Sequence, residues 1–335
     1  MTNIDLSTSY LGLELKNPFI ASASPLTGSV ESLLHLERAG AAAVVLPSLF
    51  EEQIEHEREQ FEQLNAFQSD SMAESLSFFP DLERYNTGPE EYLQLIRDAK
   101  ESLCIPVIAS LNGFSSGGWK YYGELMEQAG ADALELNIYL VPTDPRVSAS
   151  DVERHYRELV LTVREQLRIP LAVKMGPFFS SPATFGCDLV ESGAAGLVLF
   201  NRFLSPEIDL ESLEFVPALQ LSQPEELRLA LRWIAILRDR IQASIAATGG
   251  VHSGLDTAKA LLVGADAVMI ASTLLKHGID HLQVLRNELV QWMDQNGYFA
   301  VEQLKGSMSM DNCSNPDGLK RANYMKALTS YTTKV

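Results

Sequence analysis

The chain has 335 residues, 46% hydrophobic and 21% charged, which excludes a mainly disordered protein and allows one large barrel or two smaller domains. Its 26 Lys and Arg stand against 44 Asp and Glu, and the net charge of −18 makes nucleic acid and anionic membranes poor partners. Cys104, Cys187 and Cys313 lie far apart, with no CxxC pair and no Cys/His cluster. No metal site or disulfide framework is expected from them, and a reducing cytoplasm fits. The N-terminal MTNIDLSTSYLGLELKNPFI lacks a basic region followed by an apolar run, so no signal peptide is expected. No apolar stretch approaches the roughly 20 residues that span a bilayer.

In chain order, a first strand is expected over 18–24 (PFIASAS) and a helix over 31–39. Ala39-Gly40-Ala41 then leads into a second strand in AAVVLPS. A long connection, residues 51–88, begins with Glu51, Glu52, Glu55, Glu57, Glu59 and Glu62. Helix 90–102, strand 106–112 (PVIASLN) and helix 118–129 follow, and Ala129-Gly130-Ala131 precedes a fourth strand in DALELNIYL. Next come helix 151–168, strand 171–177 (LAVKMGP) and helix 182–192, with Ser192-Gly193-Ala194 before a sixth strand in AGLVLFNRF. After a second long connection, 204–223, come helix 224–241, strand 244–250 (SIAATGG) and helix 253–263. Val263-Gly264-Ala265 leads into the eighth strand in DAVMIAST, and the last helix is expected over 281–296. Residues 298–335 read as a polar tail packed on the rest.

The recurring glycine sits where a helix ends in a left-handed residue, and the small neighbours let the chain turn directly into a strand. Runs such as VVL and LVL are apolar on both faces, as in a covered parallel sheet. Eight strands alternating with eight helices predict an α/β fold, a (β/α)8 TIM barrel forming one domain over 1–335. A doubly wound open sheet also alternates, but no GxGxxG follows the first strand. Both long connections fall on the strand-to-helix side, where barrels carry their sites, and they could form a lid. The glutamates of the first equally suit a solvated helix face.

Several polar residues sit where barrel chemistry is done. Thr248-Gly249-Gly250 after strand 7 and Ala271-Ser272-Thr273 after strand 8 occupy the two loops that commonly bind phosphate. Glycines let backbone N–H groups approach an anion, and the following helix N-terminus adds a favourable dipole. A tight turn without ligand is the alternative. Lys174 interrupts the apolar LAVKMGP, where a lysine is costly unless it meets an anion or a polar cavity; otherwise it marks the barrel rim. Asn137 in LELNIY and Asn201 in VLFNRF stand near strand ends, where an amide can donate and accept to a heterocycle edge or simply cap strand groups.

NPFIASASPLTG, LELN, LAVKMGPF, the asparagine of LFNRF and ATGGVHSGLDTAKALLVGADAVMIAST together resemble the dihydroorotate dehydrogenases over roughly residues 13–297. That resemblance implies a barrel binding flavin mononucleotide (FMN). It places Ser22, Ala23 and Ser24 against the flavin ring and Ser48 at the second-strand contact. Asn137 falls near flavin and substrate, and Asn201 on the substrate side. Lys174 falls beside the flavin N1/O2 edge, and Gly249, Gly250, Ala271 and Ser272 form the phosphate cup. It also implies a small-molecule substrate and allows a homodimer.

The departures are equally specific. The family's catalytic cysteine or serine follows the ELN strand, but here the loop reads Asn137-Ile138-Tyr139-Leu140-Val141-Pro142, with Leu140 at the base position. The lysine before the second-strand contact is Pro47, and the substrate loop NxxGLPN is absent, with Asn86-Thr87-Gly88-Pro89 its nearest remnant. Tyr139 and Asp144 are the nearest proton-transfer candidates, with stacking on the barrel and capping of the next helix as their structural alternatives. The expected function is therefore an FMN-dependent oxidoreductase resembling dihydroorotate dehydrogenase, acting on an unnamed small substrate. Lys174, Asn137 and Tyr139 would be its catalytic residues. The alternatives are a true dihydroorotate dehydrogenase of pyrimidine biosynthesis with a relocated base, and a non-redox phosphate-binding barrel or partner subunit.

Overall fold

The computed structural model describes residues 4–54, 88–113, 119–202, 206–320, 324–325 and 328–329. An antiparallel hairpin, β1 (Thr8–Tyr10) and β2 (Leu13–Leu15), comes first and was not foreseen from the sequence. Eight parallel strands follow: β3 (Phe19–Ala21), β4 (Ala43–Val45, continued after a break by β5, Leu49–Phe50), β6 (Val107–Gly113), β7 (Ala133–Ile138), β8 (Leu171–Met175), β9 (Gly196–Leu199), β12 (Ser244–Thr248) and β13 (Ala267–Ile270). Each pairs with its neighbour, and β4 pairs with both β3 and β6, so the barrel closes.

Closure separates two apolar regions. Leu134, Leu136, Leu171, Val173, Leu197 and Leu199 point outward into the main core beneath the helices. Ala133, Ala172, Val198, Ala246, Ala267 and Met269 point inward, where Tyr10, Leu11 and Leu15 of the first hairpin pack against them. The alternation follows from the two-residue side-chain period of a strand. Burial holds the Tyr10 phenol above its ordinary value, with the negative charges of Glu135 and Asp266 adding to the effect.

The helices are α1 (Val30–Ala39), α2 (Pro89–Ser102), α3 (Trp119–Gln128), α4 (Ala149–Arg164), α5 (Pro182–Glu191), α6 (Leu227–Leu237), α7 (Gly254–Val263), α8 (Ser272–His277), α9 (His281–Gln295) and α10 (Val301–Leu304). Gly40, Gly130, Gly193 and Gly264, the recurring glycines, all have φ between 104° and 115°. That conformation is costly for any residue with a Cβ. The helix expected over 151–168 instead covers 149–164; its start moves two residues earlier because Ser148 and Asp151 form a reciprocal cap. The helix expected from 224 opens as a 3₁₀ turn, Pro224–Glu226, before α6.

The two long connections differ from expectation. The second contains another hairpin, β10 (Glu207–Asp209) and β11 (Glu214–Val216). In the first, residues 51–54 are helical and Glu51 is buried, not solvated. Glu55, Glu57, Glu59 and Glu62, and with them the lid expected there, lie outside the described residues.

The second strand is split for a local reason. Val45 pairs with Ile108 and Leu49 with Leu111, so four steps on β4–β5 oppose three on β6. An extra residue bulges at Leu46-Pro47-Ser48, where Pro47 has no N–H to give the ladder. The Ser48 hydroxyl then meets that of Ser110 at 2.8 Å. At the opposite end of the barrel, residues 299–310 fasten on. Val301 N–H donates to the Asp5 carbonyl, Met308 N–H to that of Leu262 and Met310 N–H to that of Ala235.

Candidate active site

At the C-terminal ends of the strands lies a cavity of about 830 Å³. Its wall includes Ser22, Ala23 and Ser24 after β3, Lys174 of β8, Asn201 after β9, Gly249 and Gly250 after β12, and Ala271 and Ser272 after β13. Nine of the residues singled out in the sequence are thus brought together by five different strands and loops. Register explains it: parallel strands in a closed barrel end at the same face.

Asn137, Ser48 and Tyr139 do not line that wall among the described residues. Asn137 is buried inside the barrel beside Lys174, its partner in the β7–β8 register. Its Nδ2 donates to Ser110 Oγ at 2.8 Å and Ser48 Oγ at 3.2 Å, with Glu135 Oε1 at 3.4 Å. Behind them the Tyr92 hydroxyl accepts from Ser110 N–H at 2.8 Å. Tyr139 is half-buried just past β7, its N–H reaching the Gly113 carbonyl at 3.4 Å.

Lys174 is not a rim charge. Its side chain is 10% exposed, and Nζ donates to Glu135 Oε1 at 3.1 Å. Glu135 is fully buried, and its other oxygen, Oε2, has no hydrogen-bond partner. The sequence showed this acid as the E of ALELNI, in phase with Asn137, yet it drew no expectation because an inward strand position looks apolar until a cation is placed beside it.

The glycine end of the cavity has two distinct halves. At Gly249 (φ 81°) an added Cβ would meet nothing within 4 Å, so the backbone faces open space. At Gly250 (φ 76°) the same atom would lie 2.5 Å from Leu227 N, so only glycine fits. Gly250 N–H donates to Ser222 Oγ at 3.2 Å, and Ser222 N–H donates to Ser272 Oγ at 3.1 Å. The Ser222 hydroxyl also lies 3.4 Å from His252 Nε2. Ser222 was missed because the 204–223 connection has no periodic pattern to place it. Thr273, by contrast, is committed to structure: its hydroxyl donates to the Val251 carbonyl at 2.6 Å.

Two other residues beyond β7 are committed to structure. Leu140 is half-buried against the main core. Asp144 grips the Arg146 guanidinium with both oxygens, and those hydrogen bonds hold its carboxyl below the ordinary value. It does not cap α4, since Ser148 does that. Tyr156, a phenol the sequence did not flag, donates to the Ile138 carbonyl at 3.0 Å, and burial pushes it up to about 12. Among the described residues, no cluster of three or more His, Cys, Asp or Glu could hold a metal ion. No described helix is long and apolar enough to cross a membrane.

A closed barrel with a largely apolar cavity at its C-terminal face, carrying a few convergent polar groups, defines an enzyme architecture. Comparison narrows it. The family model for dihydroorotate dehydrogenase matches residues 5–293, and the chain belongs to that family of oxidoreductases. It is 25% identical over 313 residues to the "Dihydroorotate dehydrogenase B (NAD(+)), catalytic subunit" of Thermoplasma volcanium, covering 90% of this chain and 98% of that relative. It is 25% identical over 325 residues to the "NAD-dependent dihydropyrimidine dehydrogenase subunit PreA" of Escherichia coli, covering 91% and 77%. To the chloroplastic dihydropyrimidine dehydrogenase (NADP(+)) of Arabidopsis thaliana it is 21% identical over 342 residues, covering 95% and 80%.

Proposed function

We propose that this chain is an FMN-dependent oxidoreductase that oxidises or reduces a CH–CH bond of a small cyclic substrate other than dihydroorotate. The observation that carries this is one cavity holding a buried cation, Lys174, at its floor and a double-glycine wall at its end. The residues suit the cofactor. The open space before Gly249 is a cradle that any side chain would fill, and Ser272 and Ser222 present hydroxyls beside it. A bound flavin supplies hydride exchange at N5.

The chain's own contribution is placement and charge. Gly249, Ala271 and Ser272 would take the phosphate through backbone and hydroxyl donors, while Gly250, whose N–H goes to Ser222 and not to the phosphate as the sequence implied, shapes the turn. Ser22, Ala23 and Ser24 would stand against the ring, and Asn137, fixed by the Ser48–Ser110 pair, and Asn201 would orient ring or substrate edges. Lys174 would favour the anionic reduced ring electrostatically. Tyr139 remains the nearest candidate for proton transfer. The relatives named as a catalytic subunit and a subunit support a second chain as electron partner here. The free cysteines suit the cytoplasm.

Dihydroorotate is disfavoured because Leu140 offers no proton acceptor, Asp144 is tied to Arg146 and the substrate loop NxxGLPN is absent. Purified protein should be yellow with flavin absorbance. Anaerobic dihydroorotate should leave that absorbance almost unbleached, against rapid bleaching of a relative that carries the loop cysteine. A colourless protein that takes up no FMN would overturn the cofactor, and equal bleaching would restore dihydroorotate as substrate.

A further inference from the structure

The cation under the cavity depends on one acid. Inside the barrel Lys174 shares its strand face with Ala172, which has no polar side-chain atom. The carboxylate that reaches it is Glu135, at 3.1 Å across the β7–β8 register. Among the described residues, the side chains that hydrogen-bond to Glu135 are those of Lys174 and Asn137. Ala133 below it is packed among apolar inward residues, and Leu134 and Leu136 on either side point into the main core. A fully buried carboxylate with one oxygen unpartnered is a cost that the fold would shed unless the charge had a task. Oε1 is shared between Lys174 Nζ and, at 3.4 Å, the Nδ2 of Asn137, so one carboxylate oxygen touches both Lys174 and Asn137.

We propose that Glu135 is the positioning residue of this site: it holds Lys174 in place as an ammonium ion and offsets its charge, so that the cavity presents a balanced cation. The holding of Lys174 stands by itself, while the effect on a bound flavin rests on the cofactor reading above. A bare ammonium would favour the anionic reduced ring more strongly than a paired one, so the pair keeps the reduction potential lower than Lys174 alone would set it.

The first test needs no cofactor. Flavin-free protein is acylated with acetic anhydride and the rate at Lys174 is read by mass spectrometry, with Lys100 and Lys259, ion-paired to Asp132 and Asp256, as internal standards. In Glu135→Gln, Lys174 should react about tenfold faster or more, because a charge-assisted hydrogen bond to its nitrogen is lost, while the standards do not change. An unchanged rate at Lys174 overturns the proposal. Should Glu135→Gln fail to fold, the double variant Glu135→Gln/Lys174→Met, which removes both charges, should fold again; a double variant that also fails overturns it. With FMN bound, Glu135→Gln should raise the reduction potential, and an unmoved potential overturns the charge-balancing role. Failure to bind FMN at all would count against the cofactor and not against Glu135, which the acylation rate decides.

Discussion

Gly249 and Lys174 carry opposite kinds of evidence at the scale of single residues. Gly249 matters for what it leaves empty. Gly249→Glu should give folded protein without flavin, since it puts a side chain and a negative charge into the cradle; flavin content after purification, beside far-UV circular dichroism, checks this. Full flavin in the variant would move the phosphate site elsewhere. Lys174 matters for its charge. Lys174→Met should lower the flavin reduction potential more than it weakens flavin binding, and a potential unchanged in redox titration would leave the lysine a purely structural partner of Glu135. It should also cost about 3–5 kcal/mol of stability, because Glu135 is left buried and unpaired. Leu140 stands where the sequence resemblance places the family's catalytic base. Leu140→Cys should restore little dihydroorotate-dependent bleaching, since a base without the NxxGLPN substrate loop lacks a fully positioned substrate, and orientation contributes as much as the base itself. Bleaching near that of a cysteine-containing relative would show that the base was all that was missing.

Among the elements, α7 shows how the turn after β12 is held still. Gly249 and Gly250 have no side chains to anchor them, so the segment is fixed from beyond. The Asp256 carboxylate accepts from His252 N–H at 3.2 Å, from the Ser253 hydroxyl at 2.8 Å and from Lys259 Nζ at 2.9 Å. Burial alone would raise this carboxyl, but together those hydrogen bonds hold it below its ordinary 3.8. A group depressed in the folded state stabilises fully above its unfolded value and loses that contribution as pH falls through the folded value. Stability should therefore drop below about pH 4 in the natural protein, and less steeply in Asp256→Ala. That variant should already be about 1 kcal/mol weaker at neutral pH, as for loss of a helix cap. Urea unfolding between pH 3 and 7 measures both, and parallel pH profiles would assign the acid sensitivity to other carboxylates.

For the whole molecule, the two ends of the barrel have different work. The C-terminal face holds the cavity. The opposite end is closed by the first hairpin and by residues 299–310, with Asp266 at the junction. Its carboxylate accepts from Ile245 N–H at 2.8 Å, Arg238 at 3.2 Å and Lys305 at 3.1 Å, joining β12, the end of α6 and the turn after α10. Asp266→Ala leaves the Arg238 guanidinium without its carboxylate and the buried Ile245 N–H without its acceptor, while Lys305 keeps Glu302, and should cost about 3 kcal/mol or more in urea unfolding, without changing flavin affinity. A loss below about 1 kcal/mol would mean that apolar packing alone closes this end.

The sequence by itself determined the alternation of strands and helices, because strand and helix periods and the glycine stops are local properties that survive without neighbours. Gly40, Gly130, Gly193 and Gly264 were legible for that reason, and so were Lys174 and the Gly249-Gly250 turn, each out of character with its surroundings. Helix ends set by a cap, such as the shift of α4 to Ser148, were legible only to within a turn. What the tertiary structure alone decided was partnership. Glu135 became a partner only when β7 was laid beside β8, Ser222 only when its irregular connection folded back over Gly250, and Tyr10 only when a hairpin was pushed into the barrel floor. These contacts join residues 28 or more positions apart, and no local pattern encodes a distance that exists only once the barrel has closed.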